Sequence, residues 1–167
     1  MTMLIRRTGA AAAVAATSLA LVSTAGAVDL RDWGRKYNTA GERYVVLASF
    51  NNEAVLDKET QLVWSRSARI PKLWDQAPRD CFGAYIGGRT GWRLPHISEL
   101  QSLLGAGPVL PAGHPFQGIA AGAWFWSSTV YITTNAYVVN LSTGAFTTYA
   151  KAYMNPNLCV RGVGATE

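Results

Sequence analysis

Apolar positions along this chain form first an uncharged run that is almost wholly small or apolar, then short alternating segments, then two helical stripes, then alternating segments again. The uncharged run, Gly9 to Val22, is 14 residues long, short of the roughly 20 an α-helix needs to cross a bilayer. Arg6 and Arg7 precede it and Ala25-Gly26-Ala27 follow it, which puts the basic, apolar and small-residue parts of a bacterial export signal in order. Residues 1–27 are therefore expected to be cleaved, leaving no stable membrane insertion and a periplasmic or secreted protein. The new N-terminus is Val28 and not a cysteine, so it offers no acceptor for a lipid. Thr8-Gly9 stand where the twin-arginine route would want bulky apolar residues, so it is not the expected route.

Residues 28–43 are polar without sustained periodicity and read as a lead-in segment. Tyr44 to Phe50 is β-branched and aromatic, Asn51-Asn52 reads as a turn, and Ala54-Val55-Leu56 and Leu62-Val63-Trp64 read as short strands. Between Lys72 and Tyr85, apolar side chains at Leu73, Trp74, Ala77, Cys81, Ala84 and Tyr85 approximate one face of a helix. Pro78 inside that pattern predicts a kink or a late start. Gly87-Gly88 and Gly91 break the chain before a second helix, Ile97 to Leu104, which Gly105 ends. Residues 105–123, rich in glycine and proline, predict a long loop whose apolar content packs it down. Four strand-like segments follow: 124–129, 136–141, 145–149 and 158–161, with Ser142-Thr143-Gly144 as a tight hairpin. Strands, two helices, a loop and strands again predict an α+β domain with an antiparallel sheet.

Charge changes this picture little. Cleavage removes two of fifteen basic residues and none of ten acidic ones, lowering the net charge from +5 to +3. The basic residues are scattered, so no nucleic-acid surface is indicated. The 140 remaining residues suit one domain with one hydrophobic core. Two cysteines in an oxidising compartment favour a Cys81–Cys159 disulfide. Their separation, with only His96 and His114 elsewhere, does not match a zinc site.

Four motifs occur in order: Ala54-Val55-Leu56-Asp57-Lys58-Glu59-Thr60 with Leu62-Val63-Trp64; Gly91-Trp92-Arg93-Leu94-Pro95 with Glu99-Leu100; Phe125-Trp126-Ser127-Ser128-Thr129; and Cys159-Val160-Arg161-Gly162. Together they resemble the family named for the C-terminal domain of the Lcl collagen-like adhesin, over residues 44–163. The resemblance implies a C-type-lectin-like fold related to that of formylglycine-generating enzymes, in which a cysteine after the first helix pairs with one in the last strand. Cys81 and Cys159 fit those positions. His96 departs from the pattern, because family members usually carry Thr or Ser there as a helix cap opposite Glu99.

Candidate chemistry is sparse. Asp57 and Glu59 are expected in a turn and Asp75, Asp80 and Glu99 on helix surfaces, all as solvated carboxylates and not as an acid–base pair. No catalytic residue, metal site or cofactor is expected. The one cysteine near the C-terminus does not make the copper-holding pair of formylglycine-generating enzymes. Asn155-Pro156-Asn157 echoes the calcium loop of lectins, but it lacks a carboxylate. Trp92, Arg93, Pro95, Glu99 and Arg161 are expected to define the fold, with Trp92 packed inward and Arg93 reaching a carbonyl or a carboxylate such as Glu99.

Trp124 and Trp126 share one strand face and Phe125 takes the other, so one of these faces is expected in the core and the other open to a ligand or under the loop. Trp124, Trp126, Tyr131 and Tyr137 are the candidate ligand-binding residues. The expected function is an exported, non-catalytic binding module for an acidic glycan, since the named adhesin attaches to sulfated polysaccharides. A structural or partner-binding envelope protein is the alternative. No collagen-like repeat is present, so multivalency would require self-association.

Overall fold

The computed structural model describes residues 36–105 and 107–162. The predicted export signal and the start of the lead-in lie outside them. The described chain runs α1 (Ala40–Arg43), β1 (Tyr44–Val46), a 3-10 turn (Ala48–Phe50), β2 (Ala54–Asp57), β3 (Leu62–Ser65), α2 (Ala77–Phe82) and α3 (Ile97–Ser102). Then come β4 (Trp124–Ile132), β5 (Asn135–Asn140), β6 (Phe146–Ala150) and β7 (Val160–Gly162). It is an α+β arrangement of short helices on antiparallel sheets.

The antiparallel strands form two sheets and not one, ordered β1-β2-β3-β7 and β4-β5-β6. The split arises because the last strand returns to the first hairpin, pairing Val63 with Arg161 and Trp64 with Val160. The meander β4–β6 is left as its own sheet, its last turn closed by Asn140, whose Oδ1 accepts from the Ser142 N–H at 2.9 Å. Gly144 in that turn has φ +71° and lies against the Pro108 carbonyl, leaving no room for a Cβ.

Local chemistry explains the element ends. Of the two outcomes Pro78 allows, the late start is adopted: α2 begins at Ala77, so Pro78 falls in the first turn, where no N–H is required. Residues 72–74 instead run beside 151–155, with the Lys72 N–H donating to the Asn155 carbonyl at 3.0 Å. The strand expected over Tyr44 to Phe50 stops at Val46, and Asn51 and Asn52 take φ of 51° and 60° to turn back into β2. Although His96 is a poor cap, the Ile97 N–H finds Thr129 Oγ1 at 3.1 Å and Glu99 accepts from the His96 N–H at 2.7 Å.

Two cores flank the sheets instead of the single one expected. The first gathers Ala40, Tyr44, Val55, Trp64, Leu100, Leu103, Leu110, Phe116, Phe125 and Val139. The second gathers Ala54, Val63, Ala77, Cys81, Ile86, Trp92, Trp126, Val138 and Cys159. Neighbouring residues of one strand enter different cores: Phe125 the first and Trp126 the second. Because α1 contributes Ala40 to the first core, the packed unit begins ahead of the predicted boundary at Tyr44.

Candidate functional site

The four aromatic residues predicted to bind a ligand do not form one surface. Trp126 is fully buried and its Nε1 donates to the Lys72 carbonyl at 2.9 Å, so it is core and leaves the candidate set. Trp124 lies on the same strand face, but at its edge, and is only partly covered. Its ring stands 5.5 Å from that of Tyr149, which stands 5.8 Å from that of Tyr153. Lys151, between Tyr149 and Tyr153 in the chain, holds its Nζ 4.2 Å from the Trp74 ring centre and donates to the Thr133 carbonyl at 2.9 Å. Tyr131 and Tyr137 pair with each other at 5.6 Å. Tyr137 neighbours Val138 in β5, so alternation puts it on the sheet face opposite Trp124 and Trp126. The sequence pattern missed Tyr149 as the partner of Trp124 because their proximity depends on the β5–β6 register, Ala136 opposite Tyr149.

A second feature lies on the α2 side. Cys81 and Cys159 are bonded at 2.04 Å and fully buried. The closed bond suits an oxidising compartment, and among the described residues no helix is long and apolar enough to cross a membrane. Ser65 binds the same strand, its Oγ accepting from the Cys159 N–H at 3.0 Å. Ser65 also lines an open cleft of about 450 Å³ with Glu53, Ser67, Ala68, Arg69, Ile70, Lys72, Asp80, Tyr85 and Ile86. The disulfide thus ties α2, which carries Asp80 of this lining, to Cys159, whose N–H is bound by Ser65.

The fold-defining residues meet around one short segment. Gly91 to Pro95 crosses between the sheets: Arg93 exchanges two hydrogen bonds with Val160 at 2.9 Å, and the Pro95 carbonyl accepts from the Ser128 N–H at 2.8 Å. Trp92 is buried, its Nε1 donating to the Arg89 carbonyl at 2.9 Å. The Arg93 guanidinium grips Glu99 through both nitrogens at 2.7 and 2.5 Å, as expected. Arg161 lies 5.8 Å from the ring centres of both Phe50 and Trp92 and donates to the Thr90 carbonyl. Motifs separated by more than 100 positions are therefore one contact region.

The model of the Lcl C-terminal domain family matches residues 53–163, a span that contains all four motifs. The chain belongs to the Lcl C-terminal domain family. No curated protein matches it in sequence.

Within this Lcl C-terminal domain, four carboxylates expected to be solvated, Asp57, Glu59, Asp80 and Glu99, are held in ion pairs. Asp57 is fully buried, accepting from Arg43 Nε at 2.9 Å and Nη2 at 2.8 Å, while Glu59 takes Arg43 Nη1 at 2.9 Å. Arg43 also donates to the carbonyls of Ser102 and Leu104, and Tyr44 Oη to that of Leu103, so the end of α3 is capped from α1 and β1. The sequence hid this because Arg43 lies in the polar lead-in. Asp80 is bound by Arg69 at 2.7 Å and Lys72 at 3.4 Å. Burial alone would raise the Asp80 and Glu99 carboxyls, but the guanidinium groups of Arg69 and Arg93 outweigh it and hold both below the ordinary range.

Asn155 and Asn157 are buried, and Asn157 Nδ2 faces Cys81 Sγ at 3.2 Å, so the loop resembling a calcium site is packed beside the disulfide. His96 is exposed, while His114 packs beside Phe116, its ring held below the ordinary imidazole value by burial. Among the described residues no three His, Cys, Asp or Glu side chains gather where they could hold a metal ion.

Proposed function

We propose that this chain is an exported, non-catalytic binding module of C-type-lectin-like fold, and that it takes an acidic glycan along the row Trp124–Tyr149–Tyr153. The observation that carries the reading is this row of three rings in successive contact, with Lys151 between Tyr149 and Tyr153 in the chain. Sugar rings present axial C–H groups that pack on aromatic faces, and Tyr hydroxyls offer polar contacts at the same place. Lys151 supplies a cation for a sulfate or uronate, consistent with the +3 charge left after cleavage. The non-catalytic part is supported by Asp57, Asp80 and Glu99, whose carboxylates are committed to guanidinium groups and so are poorly placed for proton transfer.

A protein partner in the cell envelope is the second reading, favoured by Phe146, exposed on the outer strand β6. An array of neutral, sulfated and uronate-bearing glycans, probed at low and high salt with and without a chelator, separates the two. The glycan reading expects binding to acidic chains that weakens steeply with salt and ignores the chelator. No binding under any condition rejects it in favour of a protein.

A further inference from the structure

The cleft beside the disulfide uses different chemistry from the aromatic row. Its volume of about 450 Å³ lies in the range of small-ligand sites. Ile70 and Tyr85 line it yet are 72% and 73% exposed, so these large apolar side chains contribute little to the folded monomer. An aliphatic side chain such as Ile70 gives no plane for a sugar ring, but it packs well against another aliphatic group.

Charge is divided along the cleft. Glu53 stands at the Arg66 end of the 66–72 segment, its backbone carbonyl accepting from the Arg66 N–H at 2.8 Å. One of its carboxylate oxygens accepts from the Gly87 N–H at 2.6 Å, and no described cation lies within ion-pair distance. At the other end Arg69 and Lys72 share the single carboxylate of Asp80, leaving one positive charge in excess. The walls are already fixed: Ser65 is bound to Cys159, the Arg69 N–H donates to Asn157 at 2.9 Å, and Glu53 holds Gly87 in its turn. A ligand would therefore pay little to order them.

We propose that this cleft is a second binding site, separate from the aromatic row, and that it takes a short extended peptide of a partner protein. The peptide carries an aliphatic side chain between a basic residue, facing Glu53, and an acidic residue, facing Lys72 and Arg69. A synthetic peptide array that varies three consecutive positions in a Gly-Ser frame, probed with the purified protein, tests this directly. The expected result is enrichment of Lys or Arg at one position, Leu, Ile or Val at the next, and Asp or Glu at the third.

Glu53→Lys reverses the preference at the first position from basic to acidic and leaves the other two unchanged. Glu53→Gln, which retains an acceptor for Gly87, removes the basic preference without replacing it. Ile70→Asp removes binding altogether, while Trp124→Ala leaves it intact, so failure here and failure of the glycan reading are told apart. An array with no residue preference, or a basic preference that both Glu53 variants preserve, overturns the proposal.

Discussion

The two sides of the sheets are held by different means. On the first, α3 and the long loop cover an apolar core anchored by a buried ionic clamp, Arg43 with Asp57, which also fastens the end of α3. On the second, α2 is anchored covalently through Cys81–Cys159, and the surface carries the cleft and the aromatic row. Both α2 and α3 are six-residue helices, too short to be stable on their own. Each therefore needs an anchor from elsewhere in the chain, and the two sites proposed above lie on the covalently anchored side, where side chains can remain exposed without loosening the element that carries them.

Breaking the covalent anchor has the largest expected effect. Cys81→Ser should cost about 4 to 5 kcal/mol in the loop-entropy account of a closure this long. Hydrogen exchange sharpens the comparison: amides of Ala77–Ile86 should lose protection first, while those of Leu100 and Leu103 keep theirs. Equal loss on both sides would show that the anchors are not separate. Asp57→Ala breaks the ionic clamp and leaves Arg43 buried, at a cost of about 3 kcal/mol, the low end of the range for a broken buried pair because Glu59 remains within 2.9 Å. A shifted urea midpoint with an unchanged m-value reads it out.

Gly144→Ala comes next. It would force a strained left-handed residue against the Pro108 carbonyl, costing about 1 to 3 kcal/mol in the same urea titration. The smallest effect is on acid stability. Asp80 and Glu99 are held below the ordinary carboxylate range in the folded chain, so their stabilisation is present above the unfolded value of about 4 and is lost as pH falls through the depressed folded values. Because both pairs are partly exposed, each contributes less than about 1 kcal/mol. The melting temperature should dip slightly from pH 7 to 5, because the unfolded chain protonates His114 more readily than the folded one, fall further below about pH 4, and fall less steeply there in Asp80→Asn.

What the sequence made legible follows the same division. The disulfide was readable because only two cysteines exist, the hairpin at Ser142-Thr143-Gly144 because turn chemistry is local, and the family because its motifs occur in order. Trp124-Phe125-Trp126 left two outcomes, a second face open to a ligand or one under the long loop, and the second holds: Phe125 packs with Leu110 and Phe116 of the loop while Trp126 enters the other core, a burial on both faces that alternation alone does not decide. Asp57 read as a solvated turn residue because its partner lies 14 positions upstream among polar residues. Ile70 lies outside any periodic segment, and Tyr85 read as the last residue of a helical stripe although the helix ends at Phe82, so no pattern placed them together in a cleft.

The most direct test of the account compares the two aromatic faces on whichever acidic glycan the array selects. Calorimetric titration of the double variant Trp124→Ala/Tyr149→Ala should show binding weakened tenfold or more, about 1.4 kcal/mol. Tyr131→Ala/Tyr137→Ala, on the Tyr131–Tyr137 pair, should bind as the parent does. The reverse pattern, or equal weakening by both, would contradict the assignment of the ligand to the Trp124–Tyr149–Tyr153 row.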